Sequence, residues 1–228
     1  MFGRRASDVA VKIKVNGIEI QRVKQHKVLG VIIDDKLSWK PQVSHLRGKI
    51  ARSISILWKA QHCFNQKALL VLYWSLVSPH LHYCVEVWGN TYKGTLHPLE
   101  ILQKKAIRII YQANYRAHTN NFFIEGRILK LRDVVNYHTV QIIYKASKKS
   151  LPNSLQVMFE DREVLHDLRR KDKFTEKNIR TTLKSFSISV KGIKLWNGLD
   201  EVVTGSCSLR NFKANYVSKI IENYRLIT

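Results

Sequence analysis

Residues 28–39 read VLGVIIDDKLSW, and the periodicity of the chain changes across them. Upstream, 9–15 (VAVKIKV) alternates Val and Ile with Lys, the two-residue period of a half-buried strand. Asn16-Gly17 is the strongest short signal for a hairpin turn, and Ile18 to Val23 reads as the returning strand. Val28 to Ile33 forms a third apolar run that stops at Asp34-Asp35. Downstream of Pro41 the spacing becomes helical. Val43, Leu46, Ile50, Ile54 and Leu57 recur at three- and four-residue steps, with His45, Lys49, Arg52 and Lys59 on the opposite face.

Further helices follow. Asn65 is placed to cap a second one through Leu76, apolar nearly all round and so expected to be buried, with Ser78-Pro79 ending it. A third runs from about Pro98 to Gln112. Its core face is Leu99, Leu102, Ala106, Ile109 and Ile110, and Lys104, Lys105 and Arg108 share an arc of roughly 100° on the other side. A fourth, near Leu131 to Lys149, is expected to bury Leu131, Val135, Ile142 and Ala146. The stretch 150–182 is polar, broken by Pro152, and reads as a linker or insertion. Residues 186–190 alternate like a strand, and Ser208 caps a last helix lining up Phe212, Tyr216 and Ile220. The fold class is α+β, mostly helical: a small N-terminal antiparallel β-sheet followed by a helical bundle.

The chain has 228 residues, with 39 Lys and Arg against 17 Asp and Glu, for a formal charge of +22. The 45% apolar content is enough for a core and argues against wholesale disorder. The excess is spread out: residues 1–60, 61–120, 121–180 and 181–228 are net positive by 9, 4, 5 and 4 charges. That distribution suits a folded surface tracking a polyanion. The one dense basic run, Arg169 to Lys173, reads as a solvated loop or an import signal. There is no apolar run of eighteen residues and no apolar leader, so no membrane partner is expected and the location is intracellular, nucleus and/or cytoplasm. Cys63, Cys84 and Cys207 form no disulfide framework, consistent with a reducing compartment.

Candidate chemistry is thin. Asp34-Asp35 suggests a two-metal polymerase site, but neighbouring residues of a strand end point apart and no other carboxylate is placed to join them, so they read as turn formers. His80, His82 and Cys84, with His62 and Cys63, lack the paired spacings of a structural zinc site and read as packed residues. His138 lies on an apolar stripe, and no Gly-rich phosphate loop occurs. The two amphipathic helices with cations opposite their cores, close to Tyr111, Tyr115 and Arg116, favour backbone contact with nucleic acid.

The segment 28–39 resembles the "LGV-x-x-D-x-x-L-x-W" stretch of reverse transcriptases from non-LTR (jockey-like) retrotransposons, where it follows the catalytic palm motif and forms the primer grip. Residues 79–84 (PHLHYC), 87–89 (VWG) and 99–110, with Leu102-Gln103-Lys104-Lys105, are similar to that family's thumb. Arg180, 185–187 (SFS), Gly192, 195–199 (LWNGL) and Phe212-Lys213 resemble its tail, departing from the usual Trp-Asn-Ser-Leu-Pro at Gly198 and Asp200.

The resemblance implies the end of the palm and the primer-grip strands over 1–37, a helical thumb-like domain over 38–118, and a helical or mixed tail over 119–228 with its linker near 150–182. It implies Leu29 and Gly30 as the primer grip, and the cationic helix faces supply Lys49, Arg52, Lys104, Lys105 and Arg108 as candidate template–primer phosphate contacts. The partners would be RNA, DNA or an RNA–DNA hybrid. The family's Tyr/Phe-x-Asp-Asp hairpin is missing, and Asp34 matches the grip segment's own Asp. The chain is therefore expected to be an inactive C-terminal fragment of an RNA-directed DNA polymerase starting at an internal methionine, with no catalytic, cofactor or metal residues. Mg²⁺ is expected only in the intact polymerase. The alternative is a degenerate or domesticated element-derived structural module without nucleic-acid binding.

Overall fold

The computed structural model describes residues 13–159, 174–176 and 178–226. Two antiparallel hairpins lead the chain. Strands β1 (Lys14–Val15) and β2 (Ile18–Glu19) flank Asn16-Gly17, whose φ of 50° and 79° give the turn the two positive angles that a tight type I′ hairpin needs. The Val9 to Lys12 part of the first expected strand lies outside the described residues. Strands β3 (Gln25–Val28) and β4 (Val31–Asp34) pair from Gln25↔Asp34 to Val28↔Val31. The apolar run 28–33 is thus not one strand. Leu29 and Gly30 turn it back at φ 46° and 84°, a conformation that Leu seldom adopts and that its side chain gives no sign of.

Helix α1 (Lys40–Ala60) buries Val43, Leu46, Ile50, Ile54 and Leu57, the whole expected stripe. The second helix, α2 (Gln66–Leu76), starts on Asn65, whose side chain accepts from the Ala68 amide at 2.9 Å. It is not buried all round: Leu69 and Tyr73 are inside, while Val71 is 66% exposed and Trp74 45%. Only one of its faces meets α1 and the helices that follow, so the apolar surface elsewhere on α2 stays open. Short helices α3 (Ser78–His82) and α4 (Val85–Trp88) lead to α5 (Lys93–Ile110). This helix begins five residues before Pro98, which sits inside it. Proline's preference for the first turn misplaces the start when other helix-compatible residues precede it.

Next come α6 (Asn120–Glu125), α7 (Leu131–Ser147) and α8 (Asn153–Gln156). In α7 the buried residue is Ile143, with Ile142 half-buried, and Val134, Thr139, Val140 and Tyr144 join the face. Within the expected linker, Phe159 and Phe174 are both buried in core; the basic run 169–173 lies outside the described residues. After α9 (Thr182–Ser185), residues 188–192 form a π-helical turn, not a strand. Alternation alone cannot make a strand without a ladder partner. Here Gly192 presses on α7 so closely that a Cβ would stand 2.8 Å from the Ile143 Cδ1. The chain ends in α10 (Ile193–Asn197), α11 (Glu201–Thr204) and α12 (Leu209–Leu226). Ser208 accepts from the Asn211 amide at 3.2 Å, and α12 buries Phe212, Tyr216, Ile221 and Tyr224 with Ile220 half-buried.

Two apolar clusters make the core. The larger unites β4, α1 to α5 and Phe123 with the first half of α7 and the end of α12. The smaller gathers the second half of α7 with Phe159, Phe174, Trp196, Phe212 and Tyr216. Helices α7 and α12 contribute to both clusters. No described helix is long and apolar enough to cross a membrane.

Candidate nucleic-acid interface

The β3–β4 hairpin is fixed to the bundle at three points. The Ile32 amide donates to Gln42 Oε1 at 2.9 Å. The Tyr83 hydroxyl donates to the Leu29 carbonyl at 2.7 Å. Asp34 receives the Ser38 and Trp39 amides, one on each carboxylate oxygen and both at 3.0 Å. Those donors sit just before α1, where helical amides have no partner of their own, and they follow Leu37 and precede Pro41 in a loop with Leu37 at φ 50° and Trp39 at φ 61°. Burial alone would raise the Asp34 pKa, but the bonds from Ser38 and Trp39 outweigh it and hold the carboxyl below the ordinary range.

This explains the spacing of Asp34, Leu37 and Trp39: the carboxylate ties a strained strand–helix corner. Asp34→Ala is expected to cost about 2–4 kcal/mol in urea unfolding, from two lost charge-assisted bonds. Because the folded-state pKa is lowered, the contribution is present above the unfolded value near pH 4 and disappears as the pH falls through the folded value. The gap between Asp34→Ala and the parent should therefore narrow in acid.

Leu29 projects from the hairpin tip with 85% of its surface exposed. Gly30 is needed for its positive φ, while the side where a Cβ would stand is occupied by the Tyr83 ring at 3.4 Å. Along the flank of α1 beside this hairpin lie Lys27, His45, Lys49, Arg52 and His80. Burial, then Lys49, Lys27 and Arg52, push the His45 pKa down; burial, then Lys49 and His45, do the same to His80. Lys49 and Arg52 of α1 thus share the surroundings of His45 with Lys27 of the hairpin.

The α5 candidates lie elsewhere. Lys104 is exposed and close enough to Lys130 to depress its pKa, after burial and against the pull of Asp133. Lys105 and Arg108 line a groove between α5 and the C-terminal end of α1. Nine residues separate Lys49 from Trp58 in that groove, which at roughly 100° per residue puts them on opposite flanks of α1. The five expected phosphate contacts therefore fall into two surfaces with Lys104 apart from both.

Several residues of the recognised segments are scaffold. Gln103 is buried, donating to Tyr73 Oη at 3.1 Å and the Leu129 carbonyl at 2.9 Å, and accepting from the Leu131 amide at 2.9 Å. Its place on the stripe Leu99, Gln103, Ala106, Ile110 was the available signal. Burial pushes the Tyr73 hydroxyl up to about 12, only partly offset by Gln103. Trp88 is fully buried with its indole N–H on the Tyr83 carbonyl at 2.9 Å, and Asn90 links the Glu86 carbonyl, Thr139 and Lys191. Trp196 stacks with Phe212 in the second core, while Asn197 donates to the Phe174 carbonyl.

His82 Nδ1 and His138 Nε2 are 2.9 Å apart. Burial, then the neighbouring His138, takes the His82 pKa down to about 4; burial and Lys213 lower that of His138. Both are packed, neutral residues at pH 7. Among the described residues no group of three or more His, Cys, Asp or Glu could hold a metal ion, and all three cysteines are free.

No family model matches the chain, and no solved structure matches it. Curated sequences do. A probable RNA-directed DNA polymerase from transposon BS of Drosophila melanogaster is 27% identical over 141 residues, 59% of this chain and 14% of that protein. RNA-directed DNA polymerases from the mobile element jockey are 25% identical over 146 residues in Drosophila funebris and 28% over 125 in D. melanogaster. They cover 63% and 53% of this chain, and 16% and 14% of their own lengths. The chain is related to non-LTR retrotransposon reverse transcriptases. It spans about one-seventh of the length of these polymerase relatives.

Proposed function

We propose that this chain is the primer-grip and thumb portion of a retrotransposon RNA-directed DNA polymerase. It binds the sugar–phosphate backbone of an RNA–DNA template–primer and contains none of the catalytic aspartates. The observation that carries the reading is the β3–β4 hairpin. A leucine in left-handed conformation, costing roughly 1–2 kcal/mol, stands 85% exposed at its tip, and Lys27 of the same hairpin shares the surroundings of His45 with Lys49 and Arg52. The positive φ closes the two-residue β3–β4 turn, whereas the exposed side chain adds nothing to the core and stands open to a ligand.

Asp34 supports the non-catalytic reading, since both its oxygens are engaged by the α1 corner. The β1–β2 hairpin fits the end of a larger palm sheet. Ile13, Val15, Ile18, Ile20 and Val23 are all more than half exposed, whereas a two-stranded ribbon needs a further strand or layer to be stable. Mg²⁺ would serve the intact polymerase through carboxylates outside this chain, and the location would be nuclear or cytoplasmic.

Two assays on the same protein test this. An RNA–DNA hybrid should bind at low salt in fluorescence anisotropy, and a primed template with Mg²⁺ and dNTPs should show no extension. Nucleotide incorporation would contradict the inactive-fragment reading. Absence of hybrid binding at low salt would favour a structural module without a nucleic-acid role.

A further inference from the structure

The groove between α1 and α5 has a volume of about 730 Å³, within the span of about 300–1,000 Å³ usual for ligand sites. Its walls combine Trp58, His62 and Ile101 with Lys105, Arg108 and Tyr115. Among the described residues no carboxylate lines it. Trp58 is 57% exposed and Tyr115 73% exposed, so both aromatic side chains are open to solvent at the groove. Both are also held in place. Trp58 meets His62 edge-on with centroids 6.3 Å apart. The Arg116 Nε donates to Tyr115 Oη at 2.7 Å, and the same guanidinium lies 5.3 Å from the Tyr115 ring centre. Arg108 is fixed by its Nε on the Ala117 carbonyl at 3.0 Å, and its terminal N–H groups have no partner among the described residues.

We propose that this groove is a second nucleic-acid site, one that takes an unpaired nucleotide. The base stacks on Trp58 or Tyr115, and its phosphate is held by Lys105 and Arg108. Aromatic faces beside cations in a groove free of carboxylates are the elements of single-strand recognition. A duplex, with its bases already stacked inside, offers only phosphate. The +22 chain favours the same occupant over a neutral one. This inference rests on the nucleic-acid reading above but not on its location, because Trp58 and Lys49 are on opposite flanks of α1. The hybrid would lie against the hairpin surface while a single-stranded extension reaches the groove.

The test compares three probes on the full chain by anisotropy: a blunt RNA–DNA hybrid, the same hybrid with a short single-stranded DNA overhang, and one whose overhang lacks bases. The overhang should tighten binding about tenfold, and the abasic overhang should recover only part of that. Trp58→Ala and Tyr115→Ala should each reduce the gain while leaving blunt-hybrid affinity unchanged. Both side chains are largely exposed, and thermal melts confirm that each variant folds. Lys105→Glu, on the same wall, supplies a third variant.

If the blunt hybrid binds and the overhang adds nothing, or its gain survives all three substitutions, the groove assignment is overturned and the hairpin reading stands. A gain kept in full by the abasic overhang overturns the stacking role. If a free single strand binds through Trp58 and the blunt hybrid does not, the hairpin reading fails and the groove stands. If no nucleic acid binds, or polyglutamate binds this groove more tightly than the single strand, the groove is not a nucleotide site.

Discussion

Replacing Gln103 with leucine should remove about 3–5 kcal/mol of stability, a large share of the roughly 5–15 kcal/mol a domain possesses. The side chain is 2% exposed and uses both ends of its amide. Its nitrogen serves the Leu129 carbonyl and the Tyr73 hydroxyl; its oxygen takes the Leu131 amide, a first-turn donor of α7 with no partner inside that helix. One residue of α5 thereby joins α2, the 129–131 corner and the start of α7. Leucine fills a similar volume, so the loss would come from buried backbone groups left without partners rather than from a cavity. Urea unfolding followed by circular dichroism measures it. Tyr73→Phe, which removes one neutral partner, should cost about 1 kcal/mol. A Gln103→Leu protein within 1 kcal/mol of the parent would show that these groups find other partners.

The second large effect is expected at Gly89. A Cβ there would stand 2.5 Å from Val135 Cγ2 and 2.5 Å from the Val85 carbonyl oxygen. The first contact is a side chain of α7, and the second is backbone that cannot step aside without unwinding α4. Gly89→Ala should therefore cost about 3 kcal/mol, the upper end of overpacking penalties, although alanine is ordinarily a mild replacement. The pair of obstacles gives a sharper check. Val135→Ala should recover part of the loss in the Gly89→Ala background, because it clears only the side-chain clash. Full recovery would mean the Val85 carbonyl is no obstacle; no recovery would mean Val135 is not the neighbour that matters. Gly89 in Trp88-Gly89 is thus the close contact of α4 with α7, while Trp88 fills the core beside it.

Periodicity served well where one face meets one core. The α1 stripe from Val43 to Leu57 is buried throughout, and Asn16-Gly17, Asn65 and Ser208 make the turn and caps their chemistry favours. It failed where tertiary contacts set the answer. Leu29 turns a hairpin that its β-favouring neighbours disguise as continuous strand. The alternation at 186–190 gives way to a π-helical turn because Gly192 fits against Ile143. Val71 and Trp74 of α2 stay exposed because one helix cannot be covered on every side. At the candidate site, helical wheels placed cations opposite each core face but could not say which faces meet. Lys105 and Arg108 share a groove with Trp58 and Tyr115, residues 57 apart in the chain that come together only through the packing of α5 on α1.

The central claim, that the hairpin flank of α1 holds nucleic-acid phosphates, is tested most directly by the salt dependence of RNA–DNA hybrid binding. The affinity of the parent chain and of the Lys49→Ala, Arg52→Ala double variant would be measured from low to moderate salt. Each phosphate contact contributes about 0.9 to the slope of log affinity against log salt. The double variant should bind more weakly and show a slope smaller by about 2. Equal slopes for the two proteins, or no binding by the parent at low salt, would contradict the account.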